Sequence, residues 1–203
     1  MKKNTIVTIG RQFCSGGSEI GKKLAEKLEI PYYDKVIMEH AAEKHGFSED
    51  YVKELEEKHS NSFLYSLSAY SYENSIAGNA TVSPSLQIML AQFEFIREVA
   101  AKGPCVIIGR CADYVLRNNP DVLNVFIHAK FDDRVAEAAK RYNVPNETAA
   151  KMVRRTEKLR ANYYNFYTDR KWGDMDNFHM TLSSSHFSID EIVELIYRAY
   201  VVS

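Results

Sequence analysis

Thr5-Ile6-Val7-Thr8-Ile9 runs directly into Gly10-Arg11-Gln12-Phe13-Cys14-Ser15-Gly16-Gly17-Ser18-Glu19-Ile20-Gly21, and the reading of this stretch decides the fold. The first five residues are all β-branched and read as a buried strand, while Lys22-Lys23-Leu24-Ala25-Glu26-Lys27-Leu28 reads as helix. A strand, a loop of small residues and a helix make a cradle for phosphate. Adjacent glycines let backbone N–H groups turn toward one centre, and the first helical turn adds unpaired donors and a positive dipole end. Ser15, Gly16, Gly17 and Ser18 are the candidate phosphate-binding residues, and the Ser18 hydroxyl is placed to hold a phosphate-bound magnesium ion. The plainer alternative is a glycine-rich turn that only packs closely.

The usual phosphate-loop pattern is G-x-x-x-x-G-K-[S/T]. Aligning Gly16-Gly17-Ser18 with its end puts Arg11 where the first glycine belongs and Gly17 where the lysine belongs. Counting from Gly10 instead makes the loop one residue too long. Lys22 and Lys23 lie at least a helical turn beyond the lysine position, so Arg11, beside the loop, is the candidate substitute cation.

The 203 residues suit one domain with a sizeable core. Lysine and arginine number 26 against 27 aspartates and glutamates, a net charge of -1, which gives poor support for a nucleic-acid or anionic-membrane partner. Cys14, Cys105 and Cys111 show no C-x-x-C spacing and read as reduced thiols. The histidines are scattered without H-E-x-x-H pairing, and no G-x-S-x-G elbow supplies an acyl-transfer nucleophile. Met1-Lys2-Lys3 opens like a signal peptide, but the apolar run after it is short and ends in the glycine-rich loop. No stretch is long enough to span a membrane, so the expectation is a cytoplasmic protein.

Ile20, Leu24 and Leu28 give the first helix one apolar face, with Gly21 allowing close approach to a sheet. Ile30-Pro31-Tyr32-Tyr33 is a short extended segment. Asp34 is either the N-cap of a helix through Ile37, Met38, Ala41 and Ala42 or a ligand for a substrate hydroxyl, and its position favours the cap. From Ser48 to about Arg97 the chain reads as mostly helical, with serines and tyrosines concentrated from Ser62 to Ser75 and a loop from Gly78 to Pro84. Such an insertion can cover a substrate or a second subunit, although any single tyrosine there is more simply core.

Gln87 to Ala101 reads as a helix stopped by Lys102-Gly103-Pro104. Cys105-Val106-Ile107-Ile108 is apolar on both faces, as a central parallel strand is, and a helix from Ala112 through Leu116 follows it. Arg110, released beside Gly109 at that strand's carboxyl end, sits where ligands bind in open α/β sheets. Leu123 to His128 is another buried strand, and Asp132-Asp133-Arg134 opens a helix to Tyr142. Asn146 is placed to cap the next helix, on which Lys151, Arg154, Arg155 and Lys158 share one basic face. Those four cations would repel unless an anion met them, and Glu157 and Arg160 are close enough to pair. Asn162 to Tyr167 with Trp172-Gly173 form an aromatic patch. His179 to Leu182 reads as a last strand, and Ser188 to Glu191 as a capping box before a final helix. The alternation of strand and helix argues a three-layer α/β fold with a parallel sheet.

Taken together, Ser15 to Gly21, Pro31-Tyr32-Tyr33-Asp34, Ile107-Ile108-Gly109-Arg110, Arg154-Arg155-Thr156-Glu157-Lys158-Leu159-Arg160-Ala161-Asn162-Tyr163-Tyr164 and Trp172-Gly173 resemble the cytidylate kinase-like family, relatives of the P-loop nucleoside monophosphate kinases. The resemblance covers nearly the whole chain. It implies a single domain over 1–203 with a five-stranded parallel sheet, a helical acceptor-binding insertion over 35–100 and an arginine-bearing lid over 146–175. It also implies ATP and Mg2+ as cofactors and a small nucleotide acceptor, CMP or dCMP first. By the same resemblance Tyr33 and Asp34 approach the acceptor's sugar, Arg110 holds the acceptor phosphate, Arg154 and Arg160 close on the phosphates in transfer with Arg155 beside them, and Glu157 orients them. Gly17 stands where cytidylate kinases carry lysine, and Ile108 where they carry aspartate. The leading reading is an ATP-dependent kinase of a phosphorylated acceptor. Its rivals are a non-catalytic phosphate-binding switch module and a single-stranded RNA binder using Arg154 to Tyr167. Association of copies through the tyrosine-rich insertion is a further expectation.

Overall fold

In the computed structural model, which describes residues 5–44 and 84–202, the opening β-branched run is the central strand of a five-stranded parallel sheet. Strand β1 (Ile6–Arg11) is flanked by β3 (Val106–Ile108) and β4 (Val122–His128), with β2 (Tyr32–Tyr33) outside β3 and β5 (Met180–Ser183) outside β4. The helices are α1 (Gly17–Leu28), α2 (Val36–Lys44), α3 (Pro84–Lys102), α4 (Ala112–Val115), α5 (Phe131–Tyr142), α6 (Asn146–Thr168) and α7 (Ile189–Val202), with a 3-10 turn over Met175–Asn177. This is the three-layer α/β fold with a parallel sheet that the alternation of elements implies.

The chain divides into two compact units, Met1–Asp34 with Arg97–Ser203, and Lys35–Ile96. In the first, Val7, Ile9, Val106, Ile108, Val125 and Ile127 from the three inner strands bury against Ile20 and Leu24 of α1 and Ile192 and Ile196 of α7. Each such side chain contributes roughly 1.5–3 kcal/mol on leaving water. Gly21 is what lets α1 lie so near the sheet, since a Cβ there would stand 2.4 Å from Ile108 Cδ1. Within the second unit, α2 meets the front of α3 through His40 stacked on Phe95, their ring centres 4.4 Å apart, and through a 2.7 Å Lys44–Glu94 pair. The helical reading from residue 48 to 83, with its serine and tyrosine cluster, lies outside the described residues.

Several boundaries differ from the sequence reading for local reasons. Strand β1 continues two residues past Ile9 because Gly10 and Arg11 still pair with Phe126 and Ile127 of β4. The loop proper is therefore only Gln12 to Gly16, and α1 already begins at Gly17 behind a left-handed Gly16 at φ 78°. Asp34 is not the N-cap of α2, because the Lys35 carbonyl accepts the first helical bonds, from Met38 and Glu39 N–H. Asn146 is likewise the first helical residue rather than the cap, which is Pro145. The Ser188 capping box forms as expected: Ser188 N–H donates to Glu191 Oε2 at 2.8 Å, and Glu191 N–H donates to Ser188 Oγ at 3.3 Å.

Candidate functional site

The carboxyl ends of the parallel strands, the loop Gln12 to Gly16 and the N-terminus of α1 meet in one place, as open α/β sheets require of a ligand site. The loop is held from below. Gln12 N–H donates to the Ile127 carbonyl, and its side-chain Oε1 accepts from Ala129 N–H at 3.0 Å. Ser15 is buried, with its hydroxyl within 2.9 Å of the Gln12 carbonyl and 3.1 Å of the Ile127 carbonyl. The Ser15 N–H also donates to the Gln12 carbonyl, at 3.3 Å, so Ser15 shapes the loop through both its main chain and its hydroxyl. The first N–H groups of α1 have no acceptor within the helix and face outward from its end.

Arg11 lies across this floor. Its Nη2 is 3.5 Å from Asp34 Oδ1, and Asp34 also accepts from the Tyr32 hydroxyl at 3.1 Å. The same Tyr32 hydroxyl reaches the Ser18 carbonyl at 3.2 Å, so one phenol ties the start of α1 to Asp34. From α6, Arg160 donates from Nη1 to the Arg11 carbonyl at 2.8 Å. Burial pulls the Arg11 pKa down to about 9, reinforced by the nearby positive charge of Arg160 and, after the opposing effect of Asp34, by Arg110. Burial also lowers Arg160, against the opposing field of Glu157. Three guanidinium groups thus share a poorly hydrated space near Asp34, the arrangement in which a polyanion is most strongly bound.

Arg110 enters this space on an unusual backbone. Gly109, Arg110 and Cys111 all have left-handed φ, at 64°, 54° and 56°. Left-handed conformation in non-glycine residues costs about 1–2 kcal/mol each and concentrates at functional sites. The turn swings the arginine out of line with β3, while Ile108 before it stays fully buried.

The α5–α6 pair closes over the other side of the loop. Phe13 and Cys14 pack against Ala138, Ala149 and Val153 of that pair, and Phe13 stacks on Tyr142 with ring centres 5.9 Å apart. Glu157 accepts the Phe13 N–H and lies 3.6 Å from Arg134 Nη1, so its ion pair is with Arg134 and not with Arg160 as helical spacing suggested. Arg154 is laid over the Phe131 ring at 4.2 Å, away from Arg11. Arg155 is exposed on the same helix, and Lys151 pairs with Glu147 at 2.7 Å, so an acid one turn earlier does meet that basic face. Further along, Trp172 packs edge-on to Phe126 and to Tyr164, the one buried residue of the aromatic patch, while Phe166 is exposed.

Of the residues singled out from sequence, Arg11, Asp34, Arg110 and Arg160 come together, with Gly16, Gly17 and Ser18 forming the adjoining edge. Tyr33 does not join them: burial and Cys105 raise its hydroxyl, on the side of β2 away from Asp34. Tyr32 is the site's tyrosine, and strand alternation carried that signal, since Tyr32 and Asp34 share a parity. The roles of Gln12, the Phe13 N–H and Arg134 were also missed, and nothing local marks them.

No cluster of three or more metal-ligating side chains occurs among the described residues. Magnesium seldom needs one, because it binds through one or two carboxylates or hydroxyls together with phosphate oxygens. Ser18, in the first turn of α1, fits that kind of donor set. No helix among the described residues is long and apolar enough to cross a membrane.

The profile of the cytidylate kinase-like family matches residues 6–186. Among solved structures, an uncharacterised protein from Eubacterium ventriosum superposes with a TM-score of 0.74 at 27% identity, covering 98% of this chain and 99% of that one. Shikimate kinase from Bacteroides thetaiotaomicron gives a TM-score of 0.53 at 12% identity over 96% of this chain and 97% of its own. Shikimate kinase from Aquifex aeolicus gives 0.51 at 15% identity over 95% and 94%. At those identities the two kinases share the fold alone. No curated protein matches the sequence.

Proposed function

The chain belongs to the cytidylate kinase-like family, and from that premise we propose that it transfers the γ-phosphoryl group of ATP to a small phosphorylated acceptor, CMP or dCMP first. The observation that carries this reading is the convergence of Arg11, Arg110 and Arg160 beside the start of α1. An oxygen of the acceptor phosphate attacks the γ-phosphorus, the bond to the β-phosphate oxygen breaks, and ADP leaves with that electron pair. Such a transfer needs little covalent help from the protein, because the acceptor phosphate is already a competent nucleophile.

The residues divide the work by position. The N–H groups at the start of α1, with Gly16 and Gly17, hold the donor phosphates. Arg110 holds the acceptor phosphate, and Arg160 neutralises charge spread over the group in transfer. Asp34 receives a hydroxyl of the acceptor's sugar, and Glu157 positions the loop through Phe13. Ser18 would hold Mg2+, which would supply charge neutralisation on the phosphate oxygens. Arg154 and Arg155 lie on the outer part of α6 and serve the donor nucleotide only if that helix moves inward.

A coupled assay for ADP formation across nucleoside monophosphates tests the proposal. Turnover with CMP or dCMP well above the ATPase background supports it. ATP binding without ADP formation from any acceptor overturns it in favour of a phosphate-binding switch module. That second reading rests on Ile108, whose side chain points at Gly21 and leaves the end of β3 without the acid a kinase of this kind carries there.

A further inference from the structure

We propose that Arg11 and Gly17 are a reciprocal exchange: the loop's phosphate-binding cation has moved from the helix start, where the ordinary pattern places lysine, to the end of β1, where that pattern places glycine. This rests on the nucleotide reading above and deepens it by assigning the residue that contacts the terminal phosphate.

The exchange is written in space. A Cβ built on Gly17 would lie 2.4 Å from Arg11 Cβ and 2.9 Å from Arg11 Cγ. The stem of Arg11 therefore occupies the volume into which a side chain at position 17 would have to start, and the two positions cannot both be filled. The head group is accommodated in the same way, since a Cβ on Gly109 would lie 2.0 Å from Arg11 Nη1. Two glycines distant in sequence thus form the trough in which one arginine lies. Any side chain at either place displaces it.

The guanidinium retains donors for a ligand. Asp34 engages Nη2 at 3.5 Å, whereas the Nε–H is buried without an acceptor among the described residues. A buried, incompletely paired guanidinium is costly, and an anion beside it offsets that cost. The head lies over Gly109 on the β3 side of the loop, between the α1 N-terminus and Asp34. That location suits the phosphoryl group passing from loop to acceptor better than the phosphates that stay with ADP. A lysine at position 17 would present a point charge; this chain presents a planar fork.

The test compares Arg11→Ala, Arg11→Gly, Gly17→Lys and the double variant Arg11→Gly/Gly17→Lys. Binding of Mg-ATP, Mg-ADP and inorganic tripolyphosphate is followed by calorimetry and thermal shift, alongside turnover. Arg11→Ala should weaken ATP and tripolyphosphate by about tenfold or more, ADP much less, and slow turnover by about 100-fold, as loss of one charge-stabilising donor does. Gly17→Lys alone should lower the melting temperature, and the double variant should recover both that stability and at least part of the ATP affinity lost in Arg11→Gly. Wild-type-like ATP and tripolyphosphate binding in Arg11→Ala overturns the exchange, as does an unchanged melting temperature in Gly17→Lys. If wild type binds tripolyphosphate but no nucleotide, the nucleotide reading falls while the exchange is still decided by the tripolyphosphate arm. If wild type binds neither, both fall.

Discussion

The Arg160 guanidinium reaches from the middle of α6 to the main-chain carbonyl of Arg11 at 2.8 Å, so a charged side chain of the proposed lid helix fastens the end of the central strand. One group is thereby asked both to set the loop and to meet phosphate. Arg160→Ala should lower kcat/KM for nucleotide-dependent phosphoryl transfer by about 100-fold or more, while Arg160→Lys, which keeps charge but not the fork, should fall between. A steady-state comparison of the three proteins checks this, and equal rates for Arg160→Ala and wild type would refute the catalytic half.

Glu157 separates structure from charge. It accepts the Phe13 N–H and faces the nearly buried Arg134, whose Nη1 has no hydrogen-bond acceptor among the described residues. Removing the carboxylate strands the Phe13 N–H and takes the ion-pair partner from Arg134, a change that costs about 1–3 kcal/mol. Glu157→Ala should therefore destabilise the fold by that amount in urea titrations, while Glu157→Gln keeps an acceptor for Phe13 and loses less. Equal loss in the two variants would show that the hydrogen bond to the loop carries no weight.

Asp113 carries a pH dependence of definite sign. It accepts the Tyr164 hydroxyl at 2.6 Å, and burial raises its carboxyl above the ordinary value in spite of that bond. A raised carboxyl binds its proton more tightly folded than unfolded. The folded state is therefore favoured at low pH and loses that advantage as pH rises through the folded-state pKa, starting from the unfolded value of about 3.9. Asp113→Asn keeps an acceptor for Tyr164 and removes the titration. Stability of wild type relative to Asp113→Asn should fall as the pH rises above about 4. A constant difference as the pH rises would contradict the assignment.

Gly21 and Ile108 should behave as one unit. Gly21→Ala sets a methyl 2.4 Å from Ile108 Cδ1 and 3.2 Å from Ile9 Cδ1, an overpacking that costs about 1–3 kcal/mol. Ile108→Val removes the nearer atom. The double variant should therefore be more stable than the sum of the single changes by about 1 kcal/mol, measured as a coupling in a double-mutant cycle. Additivity within a few tenths of a kcal/mol would mean that the helix shifts instead.

The layers of the fold were legible because inner parallel strands run largely apolar, as Cys105 to Ile108 does throughout and Leu123 to His128 does apart from Asn124 and His128. The glycine-rich turn between β1 and α1 and the arginine at the end of β3 were legible because glycine beside a strand end is a local signal. The residues that complete the site were not, since their relationships run between strands distant in the chain. Nothing near Gly17 tells that its missing side chain makes room for Arg11, and nothing near Gly109 tells that an arginine from β1 lies over it. Asp34 read as a cap because a cap is a local event, whereas its partners are Arg11, from a strand two places across the sheet, and a tyrosine only two residues away on the same face.

The left-handed run Gly109-Arg110-Cys111 sets the protein's interests against one another. Glycine at position 110 or 111 would relieve roughly 1 kcal/mol of backbone strain, so a screen for heat resistance alone would reward replacing Arg110, the residue proposed to hold the acceptor. Selection for thermal tolerance and selection for turnover would then pull a single codon in opposite directions. A population evolved under the first pressure without the second should lose that arginine early.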